Sequence, residues 1–342
     1  MKLVTFEIVT PLGPVERLGA LRGDKIVDLN YAALYAYLHL KPEFHHNPHP
    51  RADFFLPSDL VKLLDGGKES MDEAKRVLRE LPNEPRPLPR GERIVWSPEE
   101  VRLKSPLRPL SLRDFFAFED HAKAGATRRG EPMQKEWYDQ PVYYKGSTRM
   151  IYGPGDVIPW PAFTRKLDFE FEIAAVVGKP GRDITVADAP SHIAGYVVMN
   201  DCSARDIQKN EMACRMGPAK GKEFATVLGP RFVTADEWPT GEIPPLSVRV
   251  NGEEWSRSNG VQPYWTFPVM LSHASQSETM LPGDVLGSGT YFKGCGLDMD
   301  RWIKPGDELE LDAGPLGVLK NTVGSPQGQT HLKYNRDGSY AT

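Results

Sequence analysis

Carboxylates alternate through one apolar stretch of this chain and close another. Asp168, Glu170 and Glu172 lie in the first stretch, and Asp201 follows the apolar run 194–199. β-Branched and aromatic residues predict that the first stretch is a β-strand, whose alternate side chains share a face. Carboxylates on one face repel each other, and a hard cation would remove that repulsion. Glu170, Glu172 and Asp201 therefore predict a site for Mg²⁺, Mn²⁺ or Ca²⁺. The alternative is a solvated, charged strand face.

His121 is a candidate general base because imidazole titrates near neutral pH. It lies in the segment 112–128, which predicts a helix. Asp114 precedes it by seven residues. Two helical turns would place the carboxylate and the imidazole on one helix face, about 10 Å apart. The alternative is an ordinary surface or core histidine.

Two further cationic side chains fit the same chemistry. Lys222 follows a glycine-containing loop but precedes an acid instead of Ser or Thr, which argues against a phosphate-binding P-loop. An amine near a hard cation would polarise substrate oxygens and stabilise an enolate. Arg205 and Gln208 face together if Ser203 opens a helix, and would then hold a carboxylate or keto oxygen.

The motifs L-D-x-E-x-E and N-D-x-S-A-R-D-I-Q closely resemble the fumarylacetoacetate hydrolase family. The likeness continues in order through 113–122, 141–146, 217–222, 287–290 and 319–323, and covers about residues 106–325. It implies an α+β, β-rich fold with a mixed β-sandwich roll. It also implies a homodimer that acts on a small keto acid with the help of a divalent cation.

The resemblance assigns roles to individual side chains. Asp114 becomes a fourth metal ligand, and Lys222 becomes a catalytic lysine. Longer family members carry a glutamate where this chain has Asp298, which would orient His121; Asp300 is the alternative. The shorter aspartate predicts that residues 291–299, or the helix with His121, are mobile or open without ligand.

The substrate contacts that the resemblance implies include a tyrosine, a lysine and an arginine. The predicted substrate-binding residues are Tyr144, Lys145, Arg129, Arg205, Gln208 and Thr290. Spacing does not choose between Arg128 and Arg129. Phe116 stands where longer members carry a tyrosine, so one hydroxyl contact to fumarylacetoacetate is missing.

Strand signals with few intervening helices argue against a doubly wound parallel sheet, and a proline-rich linker predicts two domains. Residues 1–95 form a small N-terminal domain that ends in the proline-rich linker 82–91, and residues 96–342 form the catalytic domain. Alternating residues over 15–29 predict a hairpin, and Asn251-Gly252 predicts another. Short helices are expected near 32–38, 58–64 and 71–81. His45, His46 and His49 lie in a predicted solvated loop.

Composition excludes several classes of protein. The 342 residues carry 42 basic and 46 acidic side chains, so a net charge of −4 offers no case for nucleic acid. No apolar run is long enough for a membrane span, and the N-terminus has no signal-peptide core. Three cysteines without metal-ligand spacing predict a reducing cytoplasm.

The predicted function is metal-dependent hydrolysis of a C–C bond in a β-diketo acid such as an acylpyruvate, in aromatic catabolism. His121 would activate the water, and Lys222 would stabilise the released enolate. The alternative on the same scaffold is a 2-keto acid lyase: a decarboxylase, dehydratase or hydratase/isomerase. A metal-binding protein without catalysis is the competitor from another class.

Overall fold

The computed structural model describes residues 1–238, 241–328, 333–337 and 339. The helices in these residues are α1 (Leu29–His39), α2 (Pro48–Phe55), α3 (Leu60–Asp65), α4 (Gly67–Glu80), α5 (Glu119–Arg129), α6 (Arg205–Ala213), α7 (Phe267–Ala274) and α8 (Gly296–Met299). The strands are β1 (Lys2–Thr10), β2 (Gly13–Arg22), β3 (Lys25–Asp28), β4 (Val95–Trp96), β5 (Arg102–Lys104), β6 (Leu112–Phe115), β7 (Tyr143–Gly146), β8 (Ile151–Tyr152), β9 (Val157–Ile158), β10 (Leu167–Asp168), β11 (Phe171–Val177), β12 (Ile193–Asp201), β13 (Ser203–Ala204), β14 (Thr226–Thr234), β15 (Leu246–Val250), β16 (Glu253–Ser258), β17 (Val285–Gly287), β18 (Glu308–Asp312) and β19 (Val318–Val323). None of the described helices is long and apolar enough to cross a membrane.

One large mixed sheet organises the described chain. Its twelve strands follow the order β4-β3-β2-β1-β14-β12-β11-β17-β6-β7, with β5 on β1 and β8 on β14. A second sheet has the order β16-β15-β18-β19-β9, and β10 pairs with β13. Most pairs are antiparallel, while β17 runs parallel to β6. The β-rich α+β class is therefore confirmed.

Both faces of the large sheet are buried at β11, which explains the unbroken apolar run in this strand. Ile173 and Ala175 pack into a core shared with the second sheet, through residues such as Val248. Ala174 and Val176 face the other way, into a core formed with the N-terminal helices. Successive strand residues point to opposite faces, so a strand between two layers needs apolar residues throughout. The architecture is a helical layer, a large sheet and a smaller sheet.

The N-terminal region matches its sequence patterns. β2 and β3 form the expected hairpin, and α1, α3 and α4 occupy the three predicted helical segments. β1 was not expected; it pairs with β2 on one side and with β14 on the other. The large sheet is therefore continuous across residue 95, and the division into domains at that point stays a prediction. The predicted histidine loop is shorter than expected, since α2 includes His49.

The predicted helix over 112–128 is wrong in its first third. Residues Leu112–Phe115 are strand β6, which lies between β17 and β7, and α5 begins only at Glu119. The acids Glu119 and Asp120 in the first turn and the left-handed Gly130 after the last turn are ordinary helix-end signals. Asp114 and His121 therefore sit on different elements and do not share a helix face.

The predicted strand over 167–177 is also interrupted. Its ends form β10 and β11, and between them Glu170 forms an isolated bridge with Cys295. The hairpin prediction at Asn251-Gly252 is confirmed, because β15 and β16 flank this turn and pair with each other.

Candidate active site

Four buried carboxylates meet where neighbouring strands of the large sheet end. Asp114 lies on β6, Glu172 on β11, Asp201 at the end of β12, and Glu170 just before β11. One oxygen from each lies within 4.8 Å of the corresponding oxygens of the others. The sheet order β12-β11-β17-β6 produces this cluster, because it places distant sequence segments side by side.

Gly287 on β17 leaves the space that the carboxylates fill. It pairs with Asp114 in the sheet. A Cβ at this position would lie 2.6 Å from Asp114 Oδ1 and 3.1 Å from Glu172 Oε2, and would also collide with Met199. A side chain larger than hydrogen therefore cannot stand between the two carboxylates without displacing them.

Burial and mutual repulsion set the charge of the cluster. The pKa of Asp114 is raised well above its usual range, first by burial and then by the neighbouring Asp201. Burial, Asp114 and Asp201 likewise raise the pKa of Glu172. Burial opposes ionisation of Glu170 too, but Lys222 and Arg205 lower its pKa. Additional positive charge in the cluster would therefore favour the ionised forms of Asp114 and Glu172.

The donor set fits a divalent cation. Asp114 Oδ1, Glu172 Oε1 and Asp201 Oδ1 are buried and have no hydrogen-bond partner in the described part of the chain. Unpaired buried carboxylate oxygens are costly, and a hard cation satisfies several of them at once. Four carboxylates also outnumber the cations Lys222 and Arg205 that contact them. Charge, oxygen ligands and space therefore agree with the predicted metal.

Lys222 and Tyr144 complete the wall of this cluster. The Lys222 ammonium contacts both Glu170 and Asp201. Burial lowers its pKa, but Asp201 and Glu170 outweigh burial and raise it, so the amine stays charged. The Tyr144 hydroxyl donates to Asp201 Oδ2 at 2.7 Å, and burial raises its pKa well above the usual value. The ammonium has three N–H donors and can present one to an anionic substrate, whereas the single Tyr144 O–H is directed at Asp201.

His121 and Asp298 are in direct contact. Nδ1 of His121 lies 2.7 Å from Oδ2 of Asp298, and Asp300 instead accepts from Trp302 Nε1 at 3.2 Å. Burial raises the pKa of Asp298, but the contacts with His121, the Lys293 N–H and Arg128 together outweigh burial, so the net shift is downward. An ionised carboxylate only accepts, so Nδ1 donates and Nε2 carries the free lone pair. This contact assigns the pair to Asp298 and not to Asp300, and the expected mobility of residues 291–299 stays a prediction.

Cys295 lies beside this pair, with its sulfur within 4.8 Å of ligand atoms of His121 and Asp298. Burial raises the pKa of the thiol well above its usual range. The neutral thiol is therefore neither a nucleophile nor an anionic ligand. All three cysteines of the chain are free.

Arg128 and Arg129, between which the sequence does not choose, have different partners in the structure. Arg128 Nη1 donates to Asp298 Oδ1 at 2.7 Å, whereas Arg129 Nε contacts Glu131 at 2.9 Å on the exposed side. The structure thus joins Arg128, and not Arg129, to the His121–Asp298 pair. A substrate contact of Arg129 stays a prediction.

The remaining predicted substrate residues are placed differently. Arg205 opens α6 directly, so Ser203 does not begin this helix; Arg205 Nη1 donates to Gln208 Oε1 at 2.9 Å, as the spacing predicts. Thr290 is buried and donates to the Phe171 carbonyl at 2.9 Å. Lys145 is exposed on β7. Within the described part of the chain, Arg205 and Tyr144 are the members of this predicted set that contact the carboxylate cluster, through an ion pair and a hydrogen bond respectively.

Asp168 is not part of the carboxylate cluster, although the strand pattern places it with Glu170 and Glu172. Its Oδ2 pairs with Arg205 at 2.7 Å instead. Asn200 was not among the predicted site residues. Its side-chain Oδ1 accepts a hydrogen bond from the Glu170 N–H at 3.1 Å. The N-D pair before the cysteine was the available signal, since Asn200 directly precedes Asp201.

Comparison with known proteins agrees with the motifs. The family model for the fumarylacetoacetate (FAA) hydrolase C-terminal region matches residues 112–324. This chain belongs to the fumarylacetoacetate hydrolase family. It is 30% identical to a mitochondrial oxaloacetate tautomerase of Bos taurus over 94% of this chain and 91% of the relative. It is 31% identical to the fumarylacetoacetase of Arabidopsis thaliana, over 78% and 75% of the two chains.

A solved structure shows the same fold. The maleylpyruvate hydrolase from Sphingobium sp. SYK-6, in complex with manganese (II) ion and pyruvate, superposes with a TM-score of 0.67 and 20% identity. The match covers 96% of this chain and 100% of that chain. Enzymes of the family include hydrolases, tautomerases and isomerases, and they use a divalent metal.

Proposed function

We propose that this protein is a divalent-metal-dependent tautomerase that interconverts the keto and enol forms of a 2-oxo dicarboxylic acid such as oxaloacetate. The observation that carries the proposal is an oriented base, His121 with Asp298, next to a buried carboxylate cluster with unpaired oxygens. The oxaloacetate tautomerase relatives, which align over nearly the whole chain, support this reaction over others of the family.

Asp114, Glu170, Glu172 and Asp201 would hold the metal. When bound, it would supply positive charge for the 2-oxo and carboxylate oxygens of the substrate and for an enolate. Lys222, charged and fixed between Glu170 and Asp201, would add a second positive charge on the same side. Nε2 of His121 would take a proton from C3 of the keto acid to give the enolate, and the 2-oxygen would then take up a proton from the imidazolium or from solvent to give the enol. In the reverse direction the enol loses its O–H proton and the imidazolium returns a proton to C3. Asp298 would stabilise the imidazolium that forms.

C–C hydrolysis of a β-diketo acid is the second candidate function. The same base could activate water, and the Arabidopsis thaliana fumarylacetoacetase relative favours this reaction. The environment of the base favours tautomerisation instead: the ring of Phe116 packs edge-on against His121, with 5.4 Å between the centroids. An apolar ring beside the imidazole offers no hydrogen bond to an attacking water.

The deciding experiment compares the two reactions on one preparation loaded with Mg²⁺ or Mn²⁺. Decay of the enol absorbance of oxaloacetate measures tautomerisation, and product analysis on acylpyruvates and fumarylpyruvate measures C–C cleavage. We expect enol decay well above the buffer rate, sensitive to a chelator, with little cleavage. Efficient cleavage without tautomerisation would replace the first proposal by the second. The homodimer and the cytoplasmic location remain predictions. Light scattering of the purified protein tests the homodimer, and cell fractionation tests the location.

A further inference from the structure

Asp168 lies behind the site and is fully enclosed, with 1% of its surface exposed. Its Oδ1 accepts the N–H groups of Phe169 at 2.9 Å and Gly296 at 2.8 Å. Its Oδ2 accepts from Arg205 Nε at 2.8 Å and from the Leu297 N–H at 3.0 Å. One carboxylate therefore ties β10 to α6 and to the start of α8.

The start of α8 decides where Asp298 lies. Gly296 and Leu297 are the first residues of this four-residue helix, and Asp298 is the third. The first N–H groups of a helix have no partner within it, so an acceptor supplied from elsewhere fixes their position. A Cβ at position 296 would lie 2.6 Å from Asp168 Oδ1 and would collide with the Arg301 carbonyl. The glycine allows the close approach on which this tie depends.

Arg205, the other hydrogen-bond partner of Asp168, also contacts the carboxylate cluster. The Arg205 guanidinium lies 2.7 Å from Asp168 Oδ2 and 2.7 Å from Glu170 Oε1. Asp168 therefore touches a group on each half of the site: Arg205, which holds Glu170, and the turn that carries Asp298.

We propose that Asp168 is a positioning residue that holds Asp298 against His121 by fixing the first turn of α8. Only the kinetic part of this proposal rests on the proposed function. Loss of the Asp168 acceptors would let the α8 turn shift, and the His121–Asp298 hydrogen bond would lengthen or break. A misplacement of about 1 Å at a reacting group can cost on the order of 100-fold in rate.

The first measurement needs no substrate. In protein labelled with ¹⁵N-histidine, a strong hydrogen bond from Nδ1–H to a carboxylate gives a far-downfield proton resonance. The resonance that disappears in His121→Gln is assigned to His121. We expect Asp168→Asn to shift or abolish this resonance and Asp168→Glu to restore part of it. The matched control is Asp206→Asn: Asp206 also accepts a backbone N–H, from Arg165 at 3.0 Å, but does not contact α8. The His121 Nδ1–H resonance of Asp206→Asn should match that of the wild type.

The second measurement is kinetic coupling. Asp168→Asn alone should lower kcat about tenfold to 100-fold, but it should cost nothing further in the Asp298→Ala background. An unchanged resonance, or an equal loss of kcat in both backgrounds, would overturn the proposal. Asp168→Ser, which keeps one small acceptor, replaces Asp168→Asn if that variant does not fold. If no keto acid is turned over by the wild type, the proposed function fails while the resonance still decides the role of Asp168.

Discussion

Asp298→Asn tests whether the carboxylate beside His121 acts through its charge or only through its position. Asp298 Oδ2 accepts two N–H groups, from His121 at 2.7 Å and from Lys293 at 3.0 Å. Oδ1 accepts one, from Arg128 at 2.7 Å. Asparagine has one oxygen, which satisfies more donors at the Oδ2 position. Its NH₂ group then faces Arg128, whose side chain is 34% exposed and can turn to solvent.

This orientation keeps the His121 tautomer and removes only the negative charge. Hydrogen bonds to charged groups contribute about 1.5–3 kcal/mol, against about 1 kcal/mol for neutral ones. The loss of about 0.5–2 kcal/mol in stabilising the imidazolium corresponds to a fall in kcat of roughly 2- to 30-fold. The reversed amide would impose the wrong tautomer on His121, for which a loss of roughly 10⁴-fold is expected.

The assay is enol decay of oxaloacetate at saturating metal, with metal affinity measured by calorimetry. We expect kcat to fall into the smaller range, with unchanged metal affinity and nearly full recovery in Asp298→Glu. Asp300→Asn is the control, because Asp300 contacts Trp302 instead of His121. A fall beyond 10³-fold would refute the amide orientation argued above. Full activity of Asp298→Asn together with an inactive Asp300→Asn would assign the pair to Asp300.

Further predictions concern the metal, the base and acid stability. Glu172→Gln should lose Mg²⁺ binding by calorimetry yet melt no lower than the wild type in chelator, because the amide removes a buried acid whose pKa is raised; retained binding would contradict the ligand set. His121→Gln should bind metal normally and lose roughly 10²–10⁴-fold in kcat; near-normal turnover would exclude it as the base. Burial opposes ionisation of Glu73, but hydrogen bonds from Arg76 and Tyr37 lower its pKa. Its contribution to stability is present above its unfolded pKa of about 4.3 and lost as pH falls through the lower folded pKa. In urea unfolding, the free energy of unfolding of Glu73→Gln should therefore be lower than that of the wild type at neutral pH, and the difference should shrink at acid pH.

Local patterns predicted those parts of the fold in which neighbouring residues decide the structure. The Asn251-Gly252 hairpin and the amphipathic α4 follow from turn chemistry and from a period of 3.6. The same reasoning failed at Asp114. Residues 112–115 are Leu-Arg-Asp-Phe, in which two adjacent charged residues break the apolar–polar alternation of a strand. They become a strand because β17 and β7 lie on either side. Long-range pairing overrides local propensity there.

The sequence by itself determined which chemical groups the site contains: carboxylates at Glu170, Glu172 and Asp201, an imidazole at His121 and an amine at Lys222. Side-chain type sets these properties, and the motif spacing identifies the family. Only the tertiary structure decided the partners. It joins Arg128 to Asp298, turns Asp168 away from the carboxylate cluster toward Arg205, and places Gly287 between two carboxylates. These contacts link residues far apart in the chain, and their distances depend on how strands and helices pack, which no local pattern encodes.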